Sequence, residues 1–428
     1  MALSRGRDDG GNAMEYEITT GGVFYYLGPV QVRGIFTLRD KVDRADLQRA
    51  VDTAMPRFPY FCVRAEKRAD GYAQVSNDAP FVVLEREDPP SPGTAEVNGH
   101  LHIFGCWENK LYADFFHGIG DGRGTVMTLV KSVLYYYCLF HYGRALSVPG
   151  LMTADSEPDA EEYADPFARV REPEGDPILF RRATESYVLP EKPLPPGSPQ
   201  TVYTARVRRE DFLRFTRQYD GSPAVIVSLL LCRAIDAVHP VGERPVVVAL
   251  PADNRKELGC VKTAQYCQDS FQLIYSEKMR SMPLEEQITV FRGQLFLQRD
   301  EDAMRANMYR YATGYERVRA AKTAEEKAKA LAPLIYIVPG PCVSYMGDAE
   351  LGGMEEYITD FRGVVDPPGC LLAEIYTVGE NWSLCLMSGL QTQEYIRAFW
   401  EQLRRTGIPF TLDEPLVSPA RQLPDCFR

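Results

Sequence analysis

One histidine in the sequence stands in a setting that suits acid–base chemistry. His117 begins the segment His-Gly-Ile-Gly-Asp-Gly, in which Asp121 follows four residues later and Gly122 comes directly after it. Imidazole titrates near neutral pH, so it can take a proton from a hydroxyl or an amine without a large change of its pKa. The sequence predicts His117 as a general base. Asp121 is expected to fix the loop through backbone amides or through a partner elsewhere.

The glycines around this histidine are expected to shape the loop. Every second residue from Gly118 to Gly124 is a glycine, and glycine adopts positive φ angles readily and takes little space. We therefore expect a turn with left-handed positions from which His117 points into a cleft.

The residues alone leave other interpretations open. A glycine-rich turn can exist only to join a strand to a helix, because short motifs also arise by chance. His117 and Asp121 could instead bind a metal ion, but the sequence offers no third ligand with suitable spacing, and no metal site is predicted. The remaining histidines are assigned to packing, to the surface or to helix C-termini. They are His100, His102, His141 and His239.

The elements that must position His117 can be traced along the first part of the chain. Residues 30–36 alternate between apolar and polar side chains for most of their length, as a half-buried strand does. Asp43 is a suitable N-cap for the helix that follows. Residues 101–116 predict a hairpin whose second strand runs directly into His117, and a long helix over residues 124–142 follows the motif.

The composition divides the chain into four parts. We expect residues 1–13 to be a disordered tail, residues 14–148 to form an N-terminal domain with the histidine motif, and residues 201–428 to form a C-terminal domain. Residues 149–200 are rich in proline, which indicates a linker or an extended crossing segment, because proline removes a backbone donor and ends helices. Strands and helices are mixed in both halves, which predicts an α/β fold with mixed α+β sheets.

The bulk composition excludes several classes of protein. The 428 residues include 48 basic and 59 acidic side chains, and the formal charge of −11 argues against a nucleic-acid surface. The most apolar stretch, residues 126–140, is too short and too polar for a membrane span, and the first residues lack the apolar run of a signal peptide. The ten cysteines include no C-x-x-C pair and are expected to be reduced and mostly buried. We therefore predict a cytoplasmic protein.

Four segments, taken together and in chain order, carry a family resemblance. They are 57–60 (Arg-Phe-Pro-Tyr), 117–122 (His-Gly-Ile-Gly-Asp-Gly), 250–256 (Leu-Pro-Ala-Asp-Asn-Arg-Lys) and 343–347 (Val-Ser-Tyr-Met-Gly). The chain resembles the chloramphenicol-acetyltransferase-like superfamily of CoA-dependent acyltransferases, in its alcohol acetyltransferase and condensation-domain branch. The central signature of that superfamily is H-x-x-x-D-G. The resemblance extends from about Val30 to Gly407.

The resemblance implies two similar domains with an active-site tunnel between them, and His117 reachable from both ends. It implies that Asp121 pairs with Arg255 and not with the histidine, so that Asp121, Gly122 and Arg255 support the site. Ser344 could donate a hydrogen bond to the oxyanion of the tetrahedral intermediate, or it could merely cap the end of a strand. No permanently bound cofactor is implied. Acyl-CoA is a co-substrate, and the residues that bind it are unassigned.

Three positions depart from the family pattern. Phe116 stands where many relatives carry a first histidine, and Tyr345 stands where an asparagine is usual. The D-F-G-W-G motif of the plant branch is absent, and residues 360–363 (Asp-Phe-Arg-Gly) preserve only part of it.

The function predicted from this resemblance is acyl transfer from an acyl-CoA thioester to a small alcohol or amine acceptor, with His117 taking the acceptor proton. Two alternatives stay open. One is a donor thioester on an acyl carrier protein, as in condensation domains or release acyltransferases, and the other is a non-catalytic binding protein of the same fold. The basic stretch 206–209 could meet the phosphates of CoA, although a solvated strand end is the more ordinary explanation.

Overall fold

The chain folds as a mixed α/β structure. A computed structural model describes residues 13–16, 18, 22–26, 28, 30–174, 180–195, 197–331, 334, 340–366, 369–419 and 421–428. Residues 1–12 of the expected tail, and residues 175–179 and 196 of the proline-rich segment, lie outside the described residues.

The strands and helices follow the chain in this order. The strands are β1 (Glu15–Tyr16), β2 (Gln31–Leu38), β3 (Val63–Arg68), β4 (Gly71–Ser76), β5 (Leu84–Glu85), β6 (His102–Trp107), β7 (Lys110–Phe116), β8 (Gln200–Arg208), β9 (Val246–Asp253), β10 (Gln268–Tyr275), β11 (Cys342–Asp348), β12 (Ile358–Asp366), β13 (Leu371–Val378), β14 (Asn381–Ser388), β15 (Phe410–Leu412) and β16 (Leu416–Ser418). The helices are α1 (Val23–Tyr26), α2 (Arg44–Ala54), α3 (Gly122–Gly124), α4 (Lys131–Tyr142), α5 (Arg209–Gln218), α6 (Pro223–Val238), α7 (Leu284–Gln298), α8 (Glu301–Ala320), α9 (Ala324–Leu331) and α10 (Glu394–Arg405). A π-helical turn, Thr125–Val130, joins α3 to α4.

A five-stranded sheet carries the strand that leads into the histidine motif. Within the described residues its order is β12-β2-β7-β6-β5, antiparallel except for the pair β5–β6. Helices α2 and α4 pack on each other and close the first hydrophobic core over this sheet. The predicted cap of α2 is confirmed, because the Asp43 carboxylate accepts a hydrogen bond from the amide of Asp46 at 2.9 Å. A small sheet, β1-β4-β3, lies in the same half of the chain.

A larger sheet forms the second layer. Its described strands have the order β10-β9-β11-β13-β14-β8-β15, with β16 also paired with β8. Strands β9, β11 and β13 run parallel and the other pairs are antiparallel. Helix α6 packs against this sheet and against α10, and together they form the second core. The predicted start of α6 is confirmed, because Ser222 caps it and Pro223 is its first residue.

The five-stranded sheet takes one strand from beyond the predicted domain boundary. Strand β12 lies late in the chain, yet it pairs along its length with β2, so that Gly363 faces Gly34. It also contacts β13 of the larger sheet. The C-terminal residues return to the first half, where Asp425 accepts a hydrogen bond from a backbone amide at 2.8 Å. The division into domains 14–148 and 201–428 stays a prediction, and the five-stranded sheet contains strands from both sides of it.

The proline-rich part of the chain holds the two halves together as well as linking them. We call its described first part, residues 149–174, the crossing segment. Within it, Glu162 is 3% exposed and accepts two hydrogen bonds from the Arg57 guanidinium, at 2.8 and 2.7 Å, and one from the Tyr60 hydroxyl at 2.9 Å. The carbonyl oxygen of Glu162 accepts a further hydrogen bond from the amide of Ala264 at 2.7 Å. The crossing segment thus contacts both halves of the chain.

Among the described helices, none has by itself both the length and the apolar character that crossing a bilayer needs. Helices α5 and α6 meet these criteria only as a pair, and a bend of 81° separates them.

Candidate functional site

The predicted base lies directly after β7. His117 opens a single 3₁₀ turn, and its amide donates a hydrogen bond to the carbonyl oxygen of Val30 at 2.8 Å. The imidazole stacks on the ring of Phe24, with 4.4 Å between centroids and 16° between planes. It meets the ring of Tyr266 edge-on at 5.8 Å. Two aromatic side chains and one backbone hydrogen bond therefore fix the orientation of His117.

The hydrogen bonds of the imidazole decide which ring nitrogen can act as a base. Nδ1 of His117 lies 3.0 Å from the carbonyl oxygen of Gly120. Since a carbonyl oxygen only accepts hydrogen bonds, Nδ1 carries the hydrogen of the neutral ring and the lone pair is on Nε2. Burial lowers the pKa of His117 below its ordinary value of 6.5, and the Asp121 charge and the Gly120 hydrogen bond oppose this only in part. The imidazole is therefore neutral at pH 7 and can accept a proton at Nε2.

The aspartate of the motif is occupied by partners other than the histidine. Asp121 is fully buried, and Arg255 donates a hydrogen bond to each of its carboxylate oxygens, at 2.8 and 3.1 Å. The amides of Gly124 and Cys267 donate two more, at 2.7 and 2.9 Å. The structure thus brings Asp121 and Arg255 together as a bidentate pair, which joins the histidine loop to the second half of the chain.

The arginine of this pair is held as firmly as the aspartate. Besides Asp121, Arg255 donates hydrogen bonds to the carbonyl oxygens of Thr263 and Gln265, at 2.9 and 2.8 Å, and to the Asp253 carboxylate at 2.8 Å. Burial alone would lower the pKa of Arg255, but the charges and hydrogen bonds of its carboxylate partners raise it above the ordinary range. All five N–H groups of the guanidinium are satisfied, and removal of either partner would leave a buried charge unpaired.

The glycines of the loop are needed for space, and the expectation of positive φ angles is wrong. None of the four has φ in the left-handed region, because the loop is built from a 3₁₀ turn and a helix start. A Cβ on Gly124 would lie 2.0 Å from the carbonyl oxygen of Ala264, and a Cβ on Gly120 would lie 2.8 Å from the same atom. A Cβ on Gly122 would instead meet the movable end of the Met346 side chain at 2.5 Å. The backbone at Ala264 therefore packs closely against the histidine loop, and a side chain at Gly120 or Gly124 would clash with it.

A cavity of about 300 Å³ opens beside His117. Its walls come from β2 and β12 of the five-stranded sheet and from β11 and β13 of the larger sheet. Ser344 lines this cavity together with His117 and Tyr266. Because Ser344 is an interior residue of β11, it does not cap the end of a strand. The structure thus places the candidate oxyanion donor and the candidate base at one cavity.

The sequence analysis missed an acidic residue of this cavity. Glu374 of β13 lines the cavity and is 7% exposed. The hydroxyl of Tyr376 donates a hydrogen bond to its carboxylate. Burial raises the pKa of Glu374 to about 7, against the opposing effect of that hydrogen bond. A signal was available in the sequence, since Glu374 is the one charged residue in the otherwise uncharged run Leu371–Val378.

The other histidines lie away from this cavity. His100 and His102 are buried and stack on phenylalanine rings, which confirms a packing role. His141 is in the last turn of α4, and His239 directly follows α6. Their positions agree with the prediction of sites at helix C-termini.

The basic stretch 206–209 does not reach the cavity beside His117. Arg206 forms ion pairs with Asp360 and with Asp413. Arg209 forms an ion pair with Asp348 at 2.9 Å. These carboxylates balance the charge of both arginines.

In the part of the chain that the structure describes, no group of three or more His, Cys, Asp or Glu side chains is placed to hold a metal ion. The ten cysteines are not in disulfides; six are buried and four are partly buried, which agrees with the expected buried thiols.

Comparison with known proteins identifies the fold. No protein-family model and no curated protein matches the chain, whereas solved structures do. Polyketide synthase associated protein 5 from Mycobacterium tuberculosis is 13% identical, with a TM-score of 0.62 over 94% of this chain and 98% of that chain. TRI101 of F. sporotrichioides, solved with coenzyme A and T-2, is 10% identical, with a TM-score of 0.61 over 94% and 99%. The epimerization domain from the third module of tyrocidine synthetase B is 10% identical, with a TM-score of 0.57 over 95% and 98%.

These likenesses span nearly the whole of both chains at low sequence identity. They therefore establish the fold, while the activity must be argued from the site. The chain has the mixed α/β fold of the chloramphenicol-acetyltransferase-like acyltransferases and condensation domains, as its motifs predicted.

Proposed function

We propose that this protein transfers an acyl group from an acyl-CoA thioester to a hydroxyl or amine of a small acceptor, with His117 as the general base. The observation that carries this proposal is the state of the imidazole. Nδ1 is bound to the Gly120 carbonyl oxygen, burial keeps the ring neutral, and the ring lines a cavity between the two sheets. The likeness to TRI101, whose structure holds coenzyme A and T-2, supports the choice of donor.

The reaction needs no covalent intermediate on the protein. The acceptor hydroxyl or amine donates a hydrogen bond to Nε2 of His117, and its proton moves to Nε2 as its oxygen or nitrogen attacks the thioester carbonyl carbon. The C–S bond of the tetrahedral intermediate then breaks. The departing thiolate receives the proton from Nε2, so that free CoA and neutral His117 are restored. General-base assistance of this kind contributes about 10²–10⁴-fold to the rate.

Charge that develops on the carbonyl oxygen needs a donor. We propose that the Ser344 hydroxyl donates a hydrogen bond to this oxyanion, since Ser344 lines the same cavity as His117. A donor that is already in place before the reaction stabilises the transition state without further reorganisation.

Asp121 and Arg255 act by holding the loop. Both oxygens of the Asp121 carboxylate accept hydrogen bonds from Arg255 and from backbone amides, which leaves Asp121 as a positioning residue. We further propose that donor and acceptor enter from opposite ends of a tunnel between the two halves, with His117 reachable from both.

The test is product detection by mass spectrometry. The protein is incubated with acetyl-CoA or longer acyl-CoAs and with a panel of alcohols and amines, beside the variants His117→Ala and His141→Ala. Mass spectrometry is chosen because ten cysteines would react with a thiol reagent. His141 is the matched control, since it lies at the end of α4 and pairs with Asp46 at 2.9 Å.

We expect an acylated product from the wild type and from His141→Ala, and a loss of about 10²–10⁴-fold in kcat in His117→Ala. Undiminished activity in His117→Ala would overturn the assignment of the base. If no acyl-CoA is used but a carrier-protein thioester is, the donor assignment is wrong and the base assignment stands.

A further inference from the structure

The cavity beside His117 contains one acidic group whose charge the protein does not balance. Glu374 is 7% exposed, and its hydrogen bond comes from the neutral hydroxyl of Tyr376. Among the residues that the structure describes, no Lys, Arg or His forms an ion pair with it. A buried carboxylate without a cation is costly, so such groups are usually paired or serve a function.

The arginine of the cavity wall is paired with another carboxylate. Arg33 lines the cavity, but it is 2% exposed. It donates three hydrogen bonds to the Asp114 carboxylate, at 3.0, 3.0 and 2.8 Å. Arg421 also lies 3.5 Å from the Asp114 carboxylate, so Asp114 faces two guanidinium groups. Neither arginine forms an ion pair with Glu374.

Strands β11 and β12 surround the Glu374 carboxylate in the cavity. Glu374 of β13 is directly beside Ser344 of β11 in the register of the sheet, and both line the cavity. On β12, a Cβ on Gly363 would lie 1.8 Å from the Tyr376 hydroxyl and 3.0 Å from Oε2 of Glu374. The absence of a side chain at Gly363 therefore makes room for the Glu374–Tyr376 pair.

We propose that Glu374 selects the acceptor, by pairing its carboxylate with an ammonium group that the acceptor carries in addition to the hydroxyl or amine that becomes acylated. The inference rests on the proposed acyl transfer and names the acceptor class as an amino alcohol or a diamine. An ammonium group supplies the missing positive charge and donates hydrogen bonds to the carboxylate, whereas a neutral acceptor of the same length supplies no charge. The other side chains of the wall are mostly apolar and suit the hydrocarbon part of such a molecule.

The experiment compares two acceptors that differ by one charge. Aminohexanol and hexanol are offered with acetyl-CoA, and KM and kcat for each are measured by mass spectrometry in wild type, Glu374→Gln and Glu380→Gln. Glutamine keeps the size of Glu374 and removes the charge. Glu380 is the matched control, because it is an exposed glutamate in the turn after β13.

In Glu374→Gln we expect KM for aminohexanol to rise about tenfold or more, because a hydrogen bond to a charged group is lost. KM for hexanol and both kcat values stay within about twofold, and Glu380→Gln behaves as wild type. An unchanged KM for aminohexanol in Glu374→Gln, or an equal rise for both acceptors, overturns the inference while acyl transfer stands.

If the proposed acyl transfer is itself wrong, the role of Glu374 can still be tested by binding. If wild type acylates neither acceptor, direct binding of aminohexanol to wild type and Glu374→Gln is measured by calorimetry. About tenfold weaker binding in the variant upholds the role of Glu374, and equal binding overturns it.

The pH dependence of KM in the wild type is a second test, and it needs no variant that could misfold. KM for aminohexanol should fall as pH rises through about 7, the pKa of Glu374, while KM for hexanol shows no such fall. The groups that face Glu374 do not titrate there: burial raises the pKa of both Cys342 and Cys385 to about 12 and that of Tyr376 well above its ordinary value. His117 titrates below 6.5. A KM for aminohexanol that is independent of pH contradicts the inference.

Discussion

His117 and Glu374 are two titratable groups of one cavity, and burial moves their pKa values in opposite directions. Loss of water disfavours the charged form of each, so the pKa of the histidine falls and that of the glutamate rises. At neutral pH the histidine is a free base, while the carboxylate is close to its midpoint. Burial therefore leaves His117 able to accept a proton, and it leaves Glu374 able to change its charge when a charged ligand binds.

The pH dependence of catalysis follows from the state of His117. With hexanol as acceptor, kcat/KM should be constant above about pH 7 and should fall at lower pH with an apparent pKa below 6.5, because a protonated imidazole cannot accept the acceptor proton. The measurement is a pH–rate profile of wild type and Glu374→Gln. The acid limb should be the same in both, and a limb that moves in the variant would assign it to Glu374 instead.

At the scale of elements, the histidine loop is shaped by a neighbour that is distant in the sequence. The hairpin strand β7 ends at Phe116, as predicted. The helix predicted over residues 124–142 is a π-helical turn, Thr125–Val130, followed by α4, Lys131–Tyr142. The reason for the glycines was not predictable, since the carbonyl oxygen of Ala264 lies where a Cβ on Gly124 would stand. A contact between distant segments leaves no periodic signal in either one.

Two glycines of this loop should differ in their tolerance of a methyl group. Gly124→Ala should lower the free energy of unfolding by about 1–3 kcal/mol, because its Cβ would lie 2.0 Å from a backbone oxygen that cannot move freely. Gly122→Ala should cost less, since the Met346 side chain can turn aside. Urea unfolding of both variants measures the difference. Equal costs would show that the close approach of Ala264 does not constrain the loop.

At the scale of the whole molecule, the crossing segment connects two motifs that the sequence analysis treated separately. Arg57 and Tyr60, from the Arg-Phe-Pro-Tyr segment, both donate hydrogen bonds to Glu162. The backbone carbonyl oxygen of Glu162 accepts a hydrogen bond from the amide of Ala264. Ala264 is the residue that packs against Gly124. The segment that follows α2 is thereby linked to the histidine loop through the crossing segment.

Removal of the Glu162 carboxylate should therefore destabilise the protein strongly. Glu162→Ala leaves the Arg57 guanidinium, which is 5% exposed, without a carboxylate partner and with only its hydrogen bond to Ser156. The loss of one member of a buried ion pair costs about 3–5 kcal/mol. The matched control is Glu157→Ala, an exposed position of the same segment, which should stay within about 0.5 kcal/mol of wild type. Chemical unfolding measures both, and a similar small effect in the two variants would contradict the role of the buried pair.

The sequence could predict much of the site but little of how the halves meet. The hairpin before His117, the capped starts of α2 and α6 and the fold class follow from local patterns and from the resemblance. The Asp121–Arg255 contact was expected only from the resemblance. The place of Glu374 depends on the register of β11 against β13, and the place of β12 depends on a pairing between segments far apart in the chain. Such pairings depend on how the whole core packs, so they cannot be predicted from the sequence of one segment.

The position of β12 also bears on how the protein is made. Until residue 366 has been synthesised, β2 has no partner along the side that β12 later covers, and an unpaired strand edge is prone to pair with other chains. The two halves of the cavity wall therefore become complete only late in translation. Fragments of the chain that stop before β12 should be captured by holding chaperones or aggregate, and the folding of the first sheet should wait for most of the polypeptide.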